Sequence, residues 1–516
     1  MTYTSDNNKR IAKNTILLYG RMLLMLGINL YTSRVILRTL GVVDFGINNV
    51  VGGVIGMLGF LTGSLSGATS RFITFDLGTG DIEKLKNTFS SVMFIHYLAA
   101  SIILVLGETV GLWFVITQLN IPSARITAAM CVYQFSIFSA ILSIISVPYN
   151  SDIIAHEKMS VFAYISLMDV TLKLFIVYFL LIIPYDSLIT YSFLFFLIQL
   201  LDGIIYYVYC KNHFIETRVN PKYNKEQFKK IASYGGWTMT GYLSVVGYTQ
   251  GINILLNIFF GPVVNAARGI AVQVQNACMQ FTNNFQMAFN PQITKSYAQG
   301  DIRRMHSLII HGSKFSFYIL LFIIAPLMIE APTVLKIWLG IVPEHAVNFL
   351  RLILIIGLLS TLSNEILISL HATGKIRKFQ IIESSMLLSI VPIAYICLKF
   401  FHIPPEEVFL IHICVEIVTE FVRLFLVLPM IHMSIKHYII KVLFPVVFIA
   451  AISPIVPLIV NSLIDSETSN FFVVCFTCIV YNSLIIYFIG CTTRERSFVN
   501  TQLSALYNKV SKFKNS

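Results

Sequence analysis

Residues 88–116 read TFSSVMFIHYLAASIILVLGETVGLWFVI, twenty-nine residues with one charged side chain, Glu108. As a helix this stretch is about 43 Å long, more than the ~30 Å hydrocarbon core of a bilayer. It shows neither the strict alternation of a half-buried strand nor the one-sided apolar stripe of a soluble helix. Blocks of the same kind recur along the chain. We place membrane-spanning helices at 14–38, 43–72, 88–116, 125–150, 160–183, 188–210, 231–260, 262–291, 307–330, 347–371, 379–400, 407–430, 439–461 and 471–490. The expected fold is therefore an all-α polytopic membrane protein of about fourteen transmembrane helices.

Composition agrees. Of 516 residues, 56% are hydrophobic and 12% charged, against roughly a quarter charged in soluble domains; the mean hydropathy is +0.76. The N-terminus, MTYTSDNNKRIAK, is polar and basic, and the apolar stretch behind it is too long for a cleavable signal. The eight cysteines are scattered, most of them inside apolar blocks, and suggest neither a disulfide framework nor a metal site. Cys475 and Cys478 form a CxxC with no nearby His, which reads as small hydrophobes on one helix face.

Lysine and arginine set the orientation. With both termini in the cytoplasm, 25 of the 37 fall in cytoplasmic segments. The largest group lies in the loop Lys211–Lys230, KNHFIETRVNPKYNKEQFKK. Seven stay on the far face: Arg34, Arg38, Arg125, Arg268, Lys336, Arg351 and Lys399. Five are embedded: Arg21, Arg71, Lys173, Lys314 and Arg423. The net charge of +12 is thereby explained as topology, and no nucleic-acid surface is needed. The loops leave no room for a soluble catalytic or receptor domain.

The basic loop divides two similar halves. Leu40-Gly41 matches Phe260-Gly261, and Gly80-Asp81-Ile82 matches Gly300-Asp301-Ile302, both at an offset of 220 residues. Six helices separate the repeats, so they share one orientation, as parallel repeats do in some secondary transporters. The expected organisation is a six-helix bundle over 1–210, a basic linker at 211–230 and a second six-helix bundle over 231–430. Two additional helices at 431–490 and a basic tail at 491–516 complete it, with a pseudo-two-fold axis along the membrane normal. In the second span, Gly59, Gly63 and Gly67 lie four apart, on one face where another backbone can approach closely.

The N-terminal pattern resembles the polysaccharide-transport branch of the multidrug/oligosaccharidyl-lipid/polysaccharide (MOP) exporter superfamily, the Wzx-like O-antigen flippases. The residues carrying the resemblance are Asn14–Gly20, the turn Arg38-Thr39-Leu40-Gly41 with Asp44-Phe45-Gly46, Ser70-Arg71-Phe72, and the Gly80-Asp81 loop. The resemblance implies two six-helix bundles around a central cavity and alternating access. The implied substrate is an undecaprenyl-diphosphate-linked oligosaccharide, the repeat unit of an O-antigen, capsule or exopolysaccharide, moved from the cytoplasmic to the outer leaflet of the bacterial cytoplasmic membrane. Lipid II flippases share the fourteen-helix plan but carry an Arg-Asp-rich turn that is not found here. Drug antiporters of the superfamily typically have twelve helices.

A diphosphate head group wants cations, and an embedded cation costs at least ~2.5–3.5 kcal/mol unless it faces a cavity or a partner. The candidates for a cationic cavity are Arg21, about 10 Å into its span, Arg34, Arg71, Lys173, Arg268 and Lys314; guanidinium suits bidentate phosphate binding. Interfacial anchoring competes for Arg34, Arg71 and Arg268, and a pair with Asp169 one turn earlier competes for Lys173. Arg21 and Lys314 have no same-helix partner. The eighth span, NAARGIAVQVQNACMQFTNNFQMAFNPQ, carries Gln273, Gln275, Asn276, Gln280, Asn283, Asn284 and Gln286. Such amides line a hydrated path and bind sugar hydroxyls, or bond between helices.

No GxxxxGK[ST] is present, no catalytic or metal-ligating set is nominated, and no cofactor is expected. A proton or sodium gradient is the candidate energy source. Asp169, Glu416 and Glu420 are the candidate ion-coupling carboxylates; Arg423 offers Glu420 an ordinary charge pair. The expected partners are the glycolipid, membrane lipids, and glycan polymerase and chain-length machinery. An ion-coupled drug or metabolite antiporter of the same fold, and a membrane glycosyltransferase or polymerase, are the competing readings. The antiporter would want carboxylates in its cavity, and the enzyme a large outer loop.

Overall fold

The computed structural model describes residues 2–500 except 157, 183–184, 219–224, 465–466, 494 and 498–499. Side chains of residues 1–22, with that of the candidate Arg21, lie outside the described set, as do part of the linker and most of the basic tail. Among the described residues every regular element is a helix: α1 (Thr2–Gly56), α2 (Gly59–Thr79), α3 (Ile82–Leu106), α4 (Leu112–Gln118), α5 (Ile126–Ala155), α6 (Met159–Leu180), α7 (Ser187–His213), α8 (Lys225–Phe260) and α9 (Pro262–Ala298) come first. They are followed by α10 (Ile302–Ile329), α11 (Ala331–Leu339), α12 (Ala346–Ser360), α13 (Asn364–Thr373), α14 (Arg377–Phe401), α15 (Glu407–Val427), α16 (Ile435–Tyr438), α17 (Phe444–Ile452), α18 (Ile455–Leu463) and α19 (Glu467–Ile485).

Among the described residues, eleven helical stretches are long and apolar enough to cross a bilayer. The difference from fourteen arises because one stretch, Leu23–Gly56, runs across Gly41 through the first expected span and the start of the second, and because the amides of α9 and the charged residues of α15 interrupt their apolar character. The second expected span is also interrupted. The helix that begins after Gly41 breaks at residues 57–58 and resumes as α2, running to Thr79 rather than 72. Outward faces are apolar: on α19, Phe472 and Phe476 are about two-thirds exposed while Val474 and Cys478 are buried. That inversion is what a lipid solvent selects.

The matched turns of the repeat share their backbone. Gly41 and Gly261 take φ of 77° and 83°, and Gly80 and Gly300 both take 73°, a left-handed region open to glycine without strain. Asp81 then caps α3 by accepting from the Lys84 amide at 3.0 Å, as Asp301 caps α10 by accepting from the Arg304 amide at 3.0 Å.

Packing defines two compact units. The first comprises Met1–Ile270, Trp338–Ala346 and Gln380–Ile411; the second comprises Ala271–Ile337, Val347–Phe379 and His412–Ser516. This grouping differs from the expected division at 211–230, because α8 belongs with the N-terminal helices. A Cβ on Gly46 would lie 1.8 Å from the Pro262 carbonyl oxygen, and one on Gly63 would lie 2.8 Å from the Tyr242 ring. On its other side α8 meets α14, where a Cβ on Gly251 would lie 2.6 Å from Val391. Of the expected glycine face only Gly63 makes a close approach; Gly59 and Gly67 face open space.

Candidate functional site

The break between α1 and α2 opens a cavity of about 540 Å³ within the first unit. Small residues make room for it, with Gly52, Gly56, Gly59 and Gly63 on its wall. From α5 come Phe135, Ser136, Ser139 and Ser143, and from α7 come Tyr191, Ser192 and Phe195; Asn48 and Thr62 complete the polar lining. Hydroxyls and aromatic rings share the wall with glycines and aliphatic side chains, and none of the lining residues is charged. None of Arg34, Arg71, Lys173, Arg268 and Lys314 is on its wall. The nearest described approach is indirect. The Lys173 ammonium lies 5.0 Å from the centre of the lining Phe195 ring, while Asp169 holds it at 2.8 Å. Asp169 and Lys173 are one i,i+4 ion pair, the competing structural role.

The other cations separate. Arg34 and Arg71 are exposed on α1 and α2. Arg268 donates from Nη2 to the Thr249 carbonyl at 2.7 Å, and its buried Nε has no hydrogen-bond partner. Lys314 is 2% exposed and pairs with Glu495 at 2.6 Å. That partner is not on its own helix but 181 residues along the chain, where no local pattern announces it.

The polar helix α9 resolves into two faces within the second unit. Gln275 donates to the Ile353 carbonyl at 3.0 Å and Gln286 to the Thr361 carbonyl at 3.2 Å, so these two amides knit α9 to α12 and the turn after it. Asn276, Gln280 and Asn283, spaced at helical intervals, are exposed together. Gln273 and Asn284 are partly buried. Of the two roles weighed for these amides, bonding between helices is made by Gln275 and Gln286.

Between α12 and α13, residues 361–363 leave the helix. A broken membrane helix needs outside donors for its freed carbonyls. Gln286 serves Thr361, while Tyr438 and Ser313 donate to Leu362 at 3.3 and 3.4 Å. Ser363 donates to Glu420 and accepts from Arg423 at 2.9 Å. Arg423 also contacts Glu416 at 2.8 Å and Glu420 at 2.5 Å. Two of the three coupling candidates, Glu416 and Glu420, are thus brought together, buried, and held by one guanidinium. Glu365, also buried, accepts from Ser316 at 3.3 Å and Ser313 at 3.4 Å.

Two clusters escaped the sequence reading: Arg125 with Asp44 and Asp186, and Asp152 with His156 and Glu216. Only Asp44 carried a signal, as part of the N-terminal turn motif.

These features define an all-helical multi-pass membrane fold. Comparison places that fold among solved MOP superfamily structures. "Lipid II flippase MurJ, inward closed conformation" aligns with a TM-score of 0.70 at 13% identity, over 92% of this chain and 99% of that one. "Inward-facing conformation of a multidrug resistance MATE family transporter of the MOP superfamily" aligns at 0.64 and 15% identity, over 80% and 96%. A MOP superfamily transporter from Pyrococcus furiosus Vc1, described as having a binding pocket of reverse polarity, aligns at 0.55 and 14% identity, over 80% and 96%. No known family pattern and no curated protein matches the sequence.

Proposed function

We propose that the chain is a flippase that carries undecaprenyl-diphosphate-linked oligosaccharide from the cytoplasmic to the outer leaflet of the bacterial cytoplasmic membrane, with both termini in the cytoplasm. The observation that carries this reading is the exposed amide face of α9, Asn276, Gln280 and Asn283. Primary amides donate and accept at once, and in a membrane protein such a row belongs to a hydrated path. The hydroxyl and aromatic lining of the first unit's cavity suits the same ligand: sugar hydroxyls exchange hydrogen bonds with Ser, Thr and Asn, and sugar C–H faces pack on rings. A cationic drug would gain from a carboxylate, and none lines that cavity. The length of the match to the lipid II flippase, 92% of this chain against 80% for the multidrug transporter, also speaks for a lipid-linked cargo.

On this reading Arg21, Arg34, Arg71 and Arg268 serve the diphosphate, and Arg21→Ala abolishes transfer without loss of expression. Asp169, Glu416 and Glu420 are the candidates for coupling to a proton or sodium gradient. Glycan polymerase and chain-length machinery take the product on the far side. A strain deleted for the gene tests the assignment. It should accumulate the complete lipid-linked unit in the inner leaflet; an incomplete unit would point to a glycosyltransferase.

A further inference from the structure

Away from the cavity and the polar helix, three side chains converge where the chain leaves α5 and α7. Asp152 lies in the last turn of α5, His156 is its C-cap, and Glu216 stands in the 3-10 turn Glu216–Arg218 that follows α7. Their ligand atoms all lie within 4.8 Å of one another. His156 Nε2 is 2.6 Å from Glu216 Oε1 and 3.9 Å from Asp152 Oδ1. The imidazole is held flat against the Phe214 ring, centroids 4.1 Å apart and planes 6° apart. Thr217 fixes the turn by donating to the carbonyls of Cys210 and Phe214, each at 2.9 Å.

Asp152 is the telling member. It is fully buried; among the described residues no backbone or side-chain N–H or hydroxyl donates to either carboxylate oxygen, and its close polar neighbours are the Glu216 carboxyl group and His156. Glu216 is buried beside it, and the neighbouring Ile153, Cys210 and Phe214 belong to one apolar cluster. A buried carboxylate without donors is costly unless a cation or a proton compensates it. Here an imidazole nitrogen and two carboxylates point at one spot, the mixed N/O ligand set that divalent transition metals take. Bonds of about 2.0–2.2 Å put tetrahedral ligand atoms roughly 3.3 Å apart. Both His156 distances reach that value by shifts of under an ångström. His156 keeps about a quarter of its side chain exposed, which gives an ion a way in.

We propose that Asp152, His156 and Glu216 bind a divalent metal ion of the zinc class and so clamp the segment leaving α7 to the foot of α5. Three protein ligands leave a fourth position for water. The clamp fixes the start of the segment that runs on to α8, and it is independent of what the protein carries.

Full-length protein in detergent, tag removed and treated with a chelator, is titrated with Zn²⁺ against a fluorescent competing chelator. The expected result is one zinc per chain, with affinity at least about tenfold weaker in Asp152→Asn, His156→Ala and Glu216→Gln, and a zinc-dependent rise in melting temperature that the variants lose. Substitution with Co²⁺ should give the visible absorption of a low-coordinate N/O site. Sub-stoichiometric zinc, or affinity unchanged across the variants, overturns the proposal. So does a site filled by a proton alone, which would show as no zinc binding together with a metal-free Asp152→Asn protein at least as stable as the parent. If one variant does not fold, the other two carry the same comparison.

Discussion

Arg125 grips Asp44 with a two-pronged contact, Nε to Oδ1 at 2.8 Å and Nη2 to Oδ2 at 2.5 Å. The same guanidinium reaches Asp186, which caps α7 by accepting from the amides of Leu188 and Ile189, each at 3.1 Å. One arginine thereby ties the turn after Gly41 to the starts of α5 and α7. Arg125→Ala should cost about 2 kcal/mol, because two partly buried carboxylates lose a charge-assisted partner. Arg125→Lys should recover only part of this, lacking the planar fork. Thermal unfolding in detergent reads both, and an unchanged melting temperature for the alanine variant would remove the tie from the account.

Acid should weaken the same tie. The hydrogen bond from Arg125 holds the Asp186 carboxyl below its usual range, against the opposing effect of burial. A carboxyl with a lowered folded-state pKa contributes stability that is complete above its unfolded value, near 3.9. That contribution is lost as pH falls through the folded value. The melting temperature should therefore drop below about pH 4, and more steeply in the parent than in Arg125→Ala. Parallel profiles would contradict this.

The Lys314–Glu495 pair makes a prediction that separates structure from transport. Burial pushes the Glu495 carboxyl up, but the Lys314 ammonium and the Thr492 backbone N–H outweigh it and hold it low. Removing Lys314 leaves Glu495 with Thr492 and His311 as partners but takes away its charge-assisted bond, so Lys314→Met should destabilise by about 1.5–3 kcal/mol. The double variant Lys314→Met/Glu495→Gln should regain most of the loss. Leaflet transfer by the double variant then decides Lys314: full activity makes it structural, and lost activity with restored stability returns it to the substrate path.

Glycines of similar sequence context should respond differently. Gly46→Ala places a methyl group against the Pro262 carbonyl and should destabilise by about 1–3 kcal/mol or prevent folding. Gly67→Ala meets nothing within 4 Å and should be neutral or stabilising by up to ~1 kcal/mol. Comparable losses at both positions would mean that α2 packs differently.

What the sequence made legible was local. The Gly41 turn and the Gly80-Asp81 turn, with their repeats 220 residues on, depend on backbone conformation and neighbouring side chains, which leave marks in order and spacing. The amide content of α9 was plain as well. Which amides face a neighbouring helix was not, because Gln275 and Gln286 are distinguished only by the carbonyls of α12 and its following turn. Spacing put Gly59, Gly63 and Gly67 on one face, yet only the position of Tyr242 decides that Gly63 alone is crowded. The ion pairs of Lys314, Arg125 and the Asp152 cluster join residues 60 to 181 positions apart. Pairing across helices has no periodicity to read.

The most direct test of the flippase reading is leaflet transfer in proteoliposomes loaded with a defined undecaprenyl-diphosphate oligosaccharide, comparing the parent protein with the triple variant Asn276→Leu/Gln280→Leu/Asn283→Leu. The account predicts transfer by the parent and its loss in a variant that inserts and melts normally. A parent protein that leaves the glycolipid where it started, or a triple variant that moves it just as fast, would contradict it.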